Sequence, residues 1–191
     1  DKKKSFIDEF KVSAYEATIL VSDIFTAKYF EEVVAKMGKN RDMKLAVNWI
    51  TSELFAVLNN NNLEISESPI SAKNLAKLIN LIKNGTISGK IAKTIFELMM
   101  DGDKDPQIIV EEKGLKQESD PKALEALIDK IINDNREKAI EYKNGKEKLF
   151  GFFVGQAMKV SGGKANPQLI NEIIKRKHYK KVYVHIITKE I

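Results

Sequence analysis

Residues Gly151–Pro167 read GFFVGQAMKVSGGKANP. The stretch holds a helix, its stop and the start of another helix. Ser161-Gly162-Gly163 supplies the stop, because glycine takes the left-handed conformation that closes a helix without a Cβ penalty. Asn166 is a good N-cap and Pro167 is favoured at the first helical position, so a new helix begins there. Before the turn, the spacing predicts a helix from about Lys146 to Val160. At about 100° per residue, Leu149, Phe150, Phe153, Ala157 and Val160 share one face, a core-facing stripe. The other face carries Gly151 and Gly155, flanked by Lys148, Phe152 and Lys159. Each glycine inside a helix costs about 1 kcal/mol relative to alanine. Something on that face should therefore need close approach to the backbone. Two occupants fit: a second helix packed tightly against it, or a nucleic-acid backbone held by the flanking lysines.

Working backwards, Asn135–Tyr142 reads as a short helix and Asn144-Gly145 as the turn into this stretch. Asp120-Pro121 opens a helix to about Asp134, with Leu124, Leu127, Ile128, Ile131 and Ile132 at helical spacing. Asp105-Pro106 opens another over Gln107–Glu112, ended by Gly114. Ser71 caps a helix over Ala72–Asn84, and Ser88 caps Gly89–Met100 after a short loop, which makes a helical hairpin. Asn40-Arg41-Asp42 opens a helix to about Leu58 that is apolar on more than one side, the expected centre of a first domain. Asp8 to Met37 reads as one long helix stopped at Gly38, with Ile7, Phe10, Tyr15, Ile19, Ile24 and Phe25 as its apolar residues. Tyr29 and Phe30 are expected in the core. Forward of the stretch, Pro167–Lys177 is the final predicted helix. Val182–Ile187 alternates too briefly to separate strand from helix.

At 43% hydrophobic and 31% charged residues, the 191-residue chain has the composition of a globular protein. It has no apolar run of the roughly 18 residues that cross a bilayer. The start, DKKKSFIDEF, has neither an apolar signal region nor an initiator Met, and this predicts a piece of something longer. The absence of cysteine removes disulfides, thiolate metal sites and cysteine nucleophiles. Both histidines, His178 and His185, lie near the end, so no His-based metal site is expected in the main body. Asp101–Asp105 resembles a calcium loop but lacks the later ligands, and is expected to be a domain junction. That junction, polar and glycine-containing near Met100–Pro106, is an expected hinge. No Walker loop, Rossmann fingerprint or nucleophile elbow occurs. The net charge of +5 is unevenly spread: residues 141–181 hold ten Lys/Arg against three Asp/Glu. The basic charge belongs to the last quarter, but with only Arg41, Arg136 and Arg176 as arginines in a chain rich in Lys, Ile and Asn, the lysine excess alone does not argue for RNA binding.

GFFVGQAMKVSGGKANPQLINEII resembles the C-terminal signature of the B subunit of the aspartyl/glutamyl-tRNA amidotransferase (GatB). NWITSELFAVLN (Asn48–Asn59) and LAKLINLIKNGTISGKIAKTIFELMM (Leu75–Met100) extend the resemblance, which covers roughly Phe6 to Lys177. The repeated 3.6-residue periodicity with its cap and proline starts predicts an all-α fold; the resemblance implies a helical linker bundle over residues 1–104 and a small basic YqeY-like tail domain over 105–178, while residues 179–191 depart from the family and stay unassigned. The resemblance implies a complex that converts Glu-tRNA(Gln) to Gln-tRNA(Gln), or Asp-tRNA(Asn) to Asn-tRNA(Asn), using ATP and Mg in a cradle domain that precedes the helical region. It further implies an amidase A subunit and a small C subunit as partners, tRNA(Gln) or tRNA(Asn) as ligand, no membrane, and a cytoplasmic or organellar-matrix location. For this chain the expectation is tRNA holding without a catalytic residue, cofactor or metal. The candidate tRNA contacts are Lys148, Gly151, Gly155, Lys159, Lys164, Asn166, Lys175 and Arg176. The other reading is a protein-interaction module that docks the partner subunits without touching RNA.

Overall fold

The computed structural model describes residues 1–187, with side chains through His178. The fold is all-α, and no strand occurs among the described residues. The chain divides into two compact units, Asp1–Leu115 and Lys116–Ile191.

The first unit begins with three helices where the sequence predicts one: α1 (Lys2–Phe10), α2 (Ala14–Leu20) and α3 (Ile24–Met37). The breaks are made by local polar bonds that compete with helix continuation. Lys11 turns left-handed at φ 58°. Ser13 Oγ then accepts from Glu16 N at 3.1 Å, while Glu16 Oε2 accepts from Ser13 N at 2.7 Å, a reciprocal cap. Asp23 Oδ1 accepts from Phe25 N and Thr26 N at 2.8 and 2.9 Å and restarts the chain as α3. The breaks fold α1 back so that Phe6, Phe10 and Phe30 meet with ring centres 5.1–5.4 Å apart. Tyr15, Ile24 and Phe25, part of the apolar periodicity of a single helix, are exposed instead.

Asp42 caps α4 (Met43–Asn48), which runs through a π-helical segment, Trp49–Leu54, into α5 (Phe55–Asn60). The wider turn buries Trp49, Ile50 and Leu54 together, so apolar residues off the regular stripe still reach the core. Trp49 lies 5.4 Å from the ring of Phe96 and is not available to stack on a base. The most extensive helix pairing is α3 on α6 (Ala72–Lys83), so the centre of the unit lies there and not on the Met43–Asn60 helix. α3 contributes buried Phe30, Val33 and Val34, and α6 contributes buried Leu75, Leu78 and Ile79. Half-buried Tyr29 crosses from α3 to donate its hydroxyl proton to Ile70 O at 2.8 Å. Burial pushes the pKa of that phenol well above its usual value.

α7 (Gly89–Met99) and α8 (Pro106–Lys113) complete the first unit. The sequence predicts a hinge between them, with α8 beyond it in the tail. Instead the segment is tied to α6. Asp103 Oδ1 accepts from Ser71 N at 3.0 Å, Asn74 Nδ2 donates to Asp103 O at 2.8 Å, and Lys77 pairs with Asp105. Buried Ile109 and Val110 then carry α8 onto α6 and α7. The compact units accordingly divide at Leu115/Lys116, eleven residues beyond the expected boundary at 104/105. Limited trypsin digestion is expected to cut after Lys113 or Lys116, both exposed, before it cuts after Lys104. First cleavage after Lys104 would contradict the tether.

The second unit holds α9 (Pro121–Asp134), α10 (Arg136–Lys143), α11 (Leu149–Val160) and α12 (Pro167–Ile187). α9, α11 and α12 pack against one another, and α10 lies on α9 and α11. The core is Leu124, Ile128, Ile131, Phe153, Ala157, Ala165, Ile170, Ile173 and Ile174. An isolated parallel bridge joins Glu118 to Ala165: Glu118 N donates to Lys164 O at 2.7 Å, and Asn166 N donates to Glu118 O at 2.9 Å. The expected extension from residue 179 continues α12 as helix through Ile187. Residues 188–191 lie outside the described residues. The sequence-derived caps hold throughout: Ser71, Ser88, Asp105, Asp120 and Asn166 each accept a backbone N–H of the helix they precede.

Candidate nucleic-acid interface

The site is built on α11. Phe153 and Ala157, at 2% and 0% exposure, turn its apolar face into the core. Val160 belongs to the same predicted stripe but is 60% exposed. A helical wheel gives direction and not position along the axis, and Val160 is the last residue of the helix, one turn beyond the last buried position.

Gly151 and Gly155 lie on the side opposite Phe153 and Ala157, and both are exposed. A Cβ built at either would meet nothing within 4 Å. Among the described residues of the second unit, no helix packs against the glycine face. The tight-packing reading therefore has no partner among the described residues of this unit. Lys148 stands before the first turn of α11 and Lys159 in its last, both exposed and neither in an ion pair among the described residues. Over the eleven helical rises from Lys148 to Lys159 the strip is about 16 Å long, with Gly151 and Gly155 exposed between its cations.

The other expected contacts are placed differently. Lys175 Nζ sits 5.7 Å from the centre of the Phe150 ring, and Phe150 lies about 100–140° around α11 from the two glycines. Arg176 Nη2 bonds Glu125 Oε2 at 3.3 Å on α9. Asn166 is occupied as a cap: its Oδ1 accepts from Gln168 N and Leu169 N, and its Nδ2 donates to Ser119 Oγ at 3.2 Å. Lys164 is half-buried in the loop after Gly163, its carbonyl engaged by Glu118. The structure thus brings Lys148, Gly151, Gly155 and Lys159 onto one strip. It leaves Lys175 and Arg176 off that strip and gives Asn166 a structural task.

A pocket of about 450 Å³ opens beside the strip's helix, lined among others by Glu125, Asp129, Tyr142, Phe153 and Lys177. Both of its carboxylates are paired with cations of α12. Lys177 Nζ lies 2.7 Å from Asp129 Oδ1 and 3.1 Å from Glu125 Oε1. Partial burial disfavours the charged ammonium, but the bonds to the two carboxylates outweigh this and raise the Lys177 pKa. A raised folded-state pKa means that the stabilisation is fully present below the unfolded value near 10.5 and is lost as pH rises through the folded value. Lys177→Met should therefore destabilise the chain at pH 8, with the gap to wild type closing above about pH 10.5 in urea titrations. A gap that does not change with pH would show that the methylene stem, and not the ammonium, is what stabilises.

Among the described residues no group of three or more His, Cys, Asp or Glu could hold a metal ion, and no helix is long and apolar enough to cross a membrane.

Comparison with known proteins covers most of the chain. The GatB domain family matches residues 28–177. The B subunit of the aspartyl/glutamyl-tRNA(Asn/Gln) amidotransferase of Pelagibacter ubique (strain HTCC1062) is 93% identical over 177 residues, covering 93% of this chain and 36% of that protein. The protein of the same name from Ehrlichia chaffeensis (strain ATCC CRL-10679 / Arkansas) is 49% identical over 175 residues, and that of Zymomonas mobilis subsp. mobilis (strain ATCC 31821 / ZM4 / CP4) is 45% identical over 178. Each of these two alignments covers 92% of this chain. The chain spans just over a third of the length of these relatives.

Proposed function

Because the chain belongs to the GatB domain family, we propose that its second unit holds the body of a tRNA against the glycine strip of α11. The observation that carries this reading is the open space over Gly151 and Gly155 between two exposed lysines that have no ion-pair partner among the described residues. Without a Cβ, the peptide groups at these positions can be approached closely by a phosphate, and the lysines draw the phosphates in. Such contacts supply position and salt-dependent affinity, not chemistry. The relatives' name points to tRNA(Gln) or tRNA(Asn) as the ligand. In this reading, ATP- and Mg-dependent transamidation takes place in the part of the parent protein outside this chain, with the A and C subunits as partners.

The test is the affinity of the chain for a tRNA(Gln) transcript across a salt series. The wild type should bind with a steep linear fall of log affinity against log salt. Lys148→Gln with Lys159→Gln should flatten that slope by roughly 0.7–0.9 for each phosphate no longer neutralised. Surface changes of this kind should alter stability by less than about 0.5 kcal/mol in urea titrations. Absence of binding by the wild type at low salt would overturn the reading and favour a face that docks the partner subunits.

A further inference from the structure

One cation beside the strip is not legible in the sequence. Lys138, exposed on α10, places its Nζ 4.0 Å from the centre of the Phe152 ring. Phe152 follows Gly151 and lies within about 40° of Lys148 and Lys159 around α11, so the ring borders the strip on its α10 side. Phe152 is itself anchored, meeting buried Phe153 edge to face at 5.3 Å and 77°. The carboxylates three and four residues from Lys138 are engaged elsewhere: Asp134, at the end of α9, by Lys130 at 3.2 Å, and Glu141, on α10, by Lys146 at 2.6 Å. Lys138 is thus left to the ring face, which attracts a cation without neutralising it.

The geometry points to Lys138 as a third cation of the ligand site, held in place by Phe152, so that a polyanion backbone meets Lys138, Lys148 and Lys159 around the glycine strip. This rests on the reading of the α11 strip as a phosphate-binding face. Two lysines on one helix define a line. A third from α10 lies to the side of that line and fixes how the backbone crosses it. Because the ring already restricts the Lys138 side chain, less rotamer freedom is lost on binding than for a lysine extended into solvent. Phe152 is a positioning residue in this arrangement, and Lys138 is the group that meets the phosphate.

The experiment compares Lys138→Gln, Lys138→Arg, Phe152→Leu and the Lys138→Gln/Phe152→Leu double variant, in the full chain, for binding to an unmodified tRNA(Gln) transcript across salt. Circular dichroism confirms that each variant is folded. Lys138→Gln should lower the log–log slope by roughly 0.7–0.9, and Lys138→Arg, which keeps the charge and the ring contact, should restore it. Phe152→Leu should weaken binding severalfold, and the double variant should bind no more weakly than Lys138→Gln alone. If Lys138→Gln changes neither affinity nor slope while Lys148→Gln/Lys159→Gln flattens the slope, the strip binds RNA and Lys138 is a bystander, which overturns this inference alone. If neither set changes the slope, the reading of the strip fails and this inference with it. If the losses from Lys138→Gln and Phe152→Leu simply add, the ring acts independently of the lysine and the positioning role is overturned.

Discussion

Phe153→Ala should remove about 3–5 kcal/mol from the second unit, the range for truncating a buried phenylalanine. Phe153 is 2% exposed and joins the aromatic group of Tyr142 and Phe152, with ring centres 6.0 and 5.3 Å away. The unit runs from Lys116 and has nine residues in its buried cluster, so few neighbours can redistribute the loss. A domain of this size has a total stability of only about 5–15 kcal/mol. The substitution should therefore take a large part of it. Hydrogen exchange of the amides in α9, α11 and α12 is the direct measure, and should accelerate at least about a hundredfold, since each 1.4 kcal/mol is a factor of ten. Tryptophan fluorescence is the wrong probe, because the single tryptophan, Trp49, lies in the first unit. Unchanged exchange in α11 would mean that Phe153 does not hold the unit together.

Gly155→Leu should separate the two readings of the glycine face by moving affinity and stability in opposite directions. A leucine Cβ at this position enters open space, so no overpacking penalty arises against the described residues. Gly155 also lies inside a regular helix, where leucine is favoured over glycine by somewhat under 1 kcal/mol. The urea midpoint should hold or rise. A side chain there would keep a phosphate backbone off the peptide groups and lengthen its approach to Lys148 and Lys159. Affinity for a tRNA(Gln) transcript should then fall about tenfold or more, equivalent to about 1.4 kcal/mol. Gly155→Ala should give a smaller loss in the same direction. Lost stability with unchanged affinity per folded molecule would make the glycine face structural and the flanking lysines a solvated rim.

Much of the second unit is legible in the sequence because its signals are local. A cap or a proline start acts within one turn, and a 3.6-residue apolar period needs only a neighbour of any kind on one side. The Asp120-Pro121 and Asn166-Pro167 starts and the opposed faces of α11 are of this type, and they appear where the residues place them. So does the resemblance, which rests on ordered runs of residues and agrees with the family match over residues 28–177. The division of Asp8–Met37 into pieces is also written locally, in Ser13-x-x-Glu16 and in Asp23, but loose apolar spacing through those residues masks it.

What the tertiary structure alone decided concerns groups far apart in sequence. Asp101–Asp105 looks like a linker until Asp103 is seen held by Ser71 and Asn74, 32 and 29 residues away. The π segment at Trp49–Leu54 has no sequence cue of its own. It buries side chains that a regular helix would spread around its circumference. Lys138 joins the strip because α10 lies on α11, and α10 buries no residue by which that packing could have been read. Lys175 and Arg176, next to the buried Ile173 and Ile174 of α12, group with the strip by charge, but one lies over the Phe150 ring and the other pairs with Glu125. Charge and periodicity along a chain record which residue types are present and how they recur. Which of them share a surface is settled by helix packing, between partners that lie tens of residues apart.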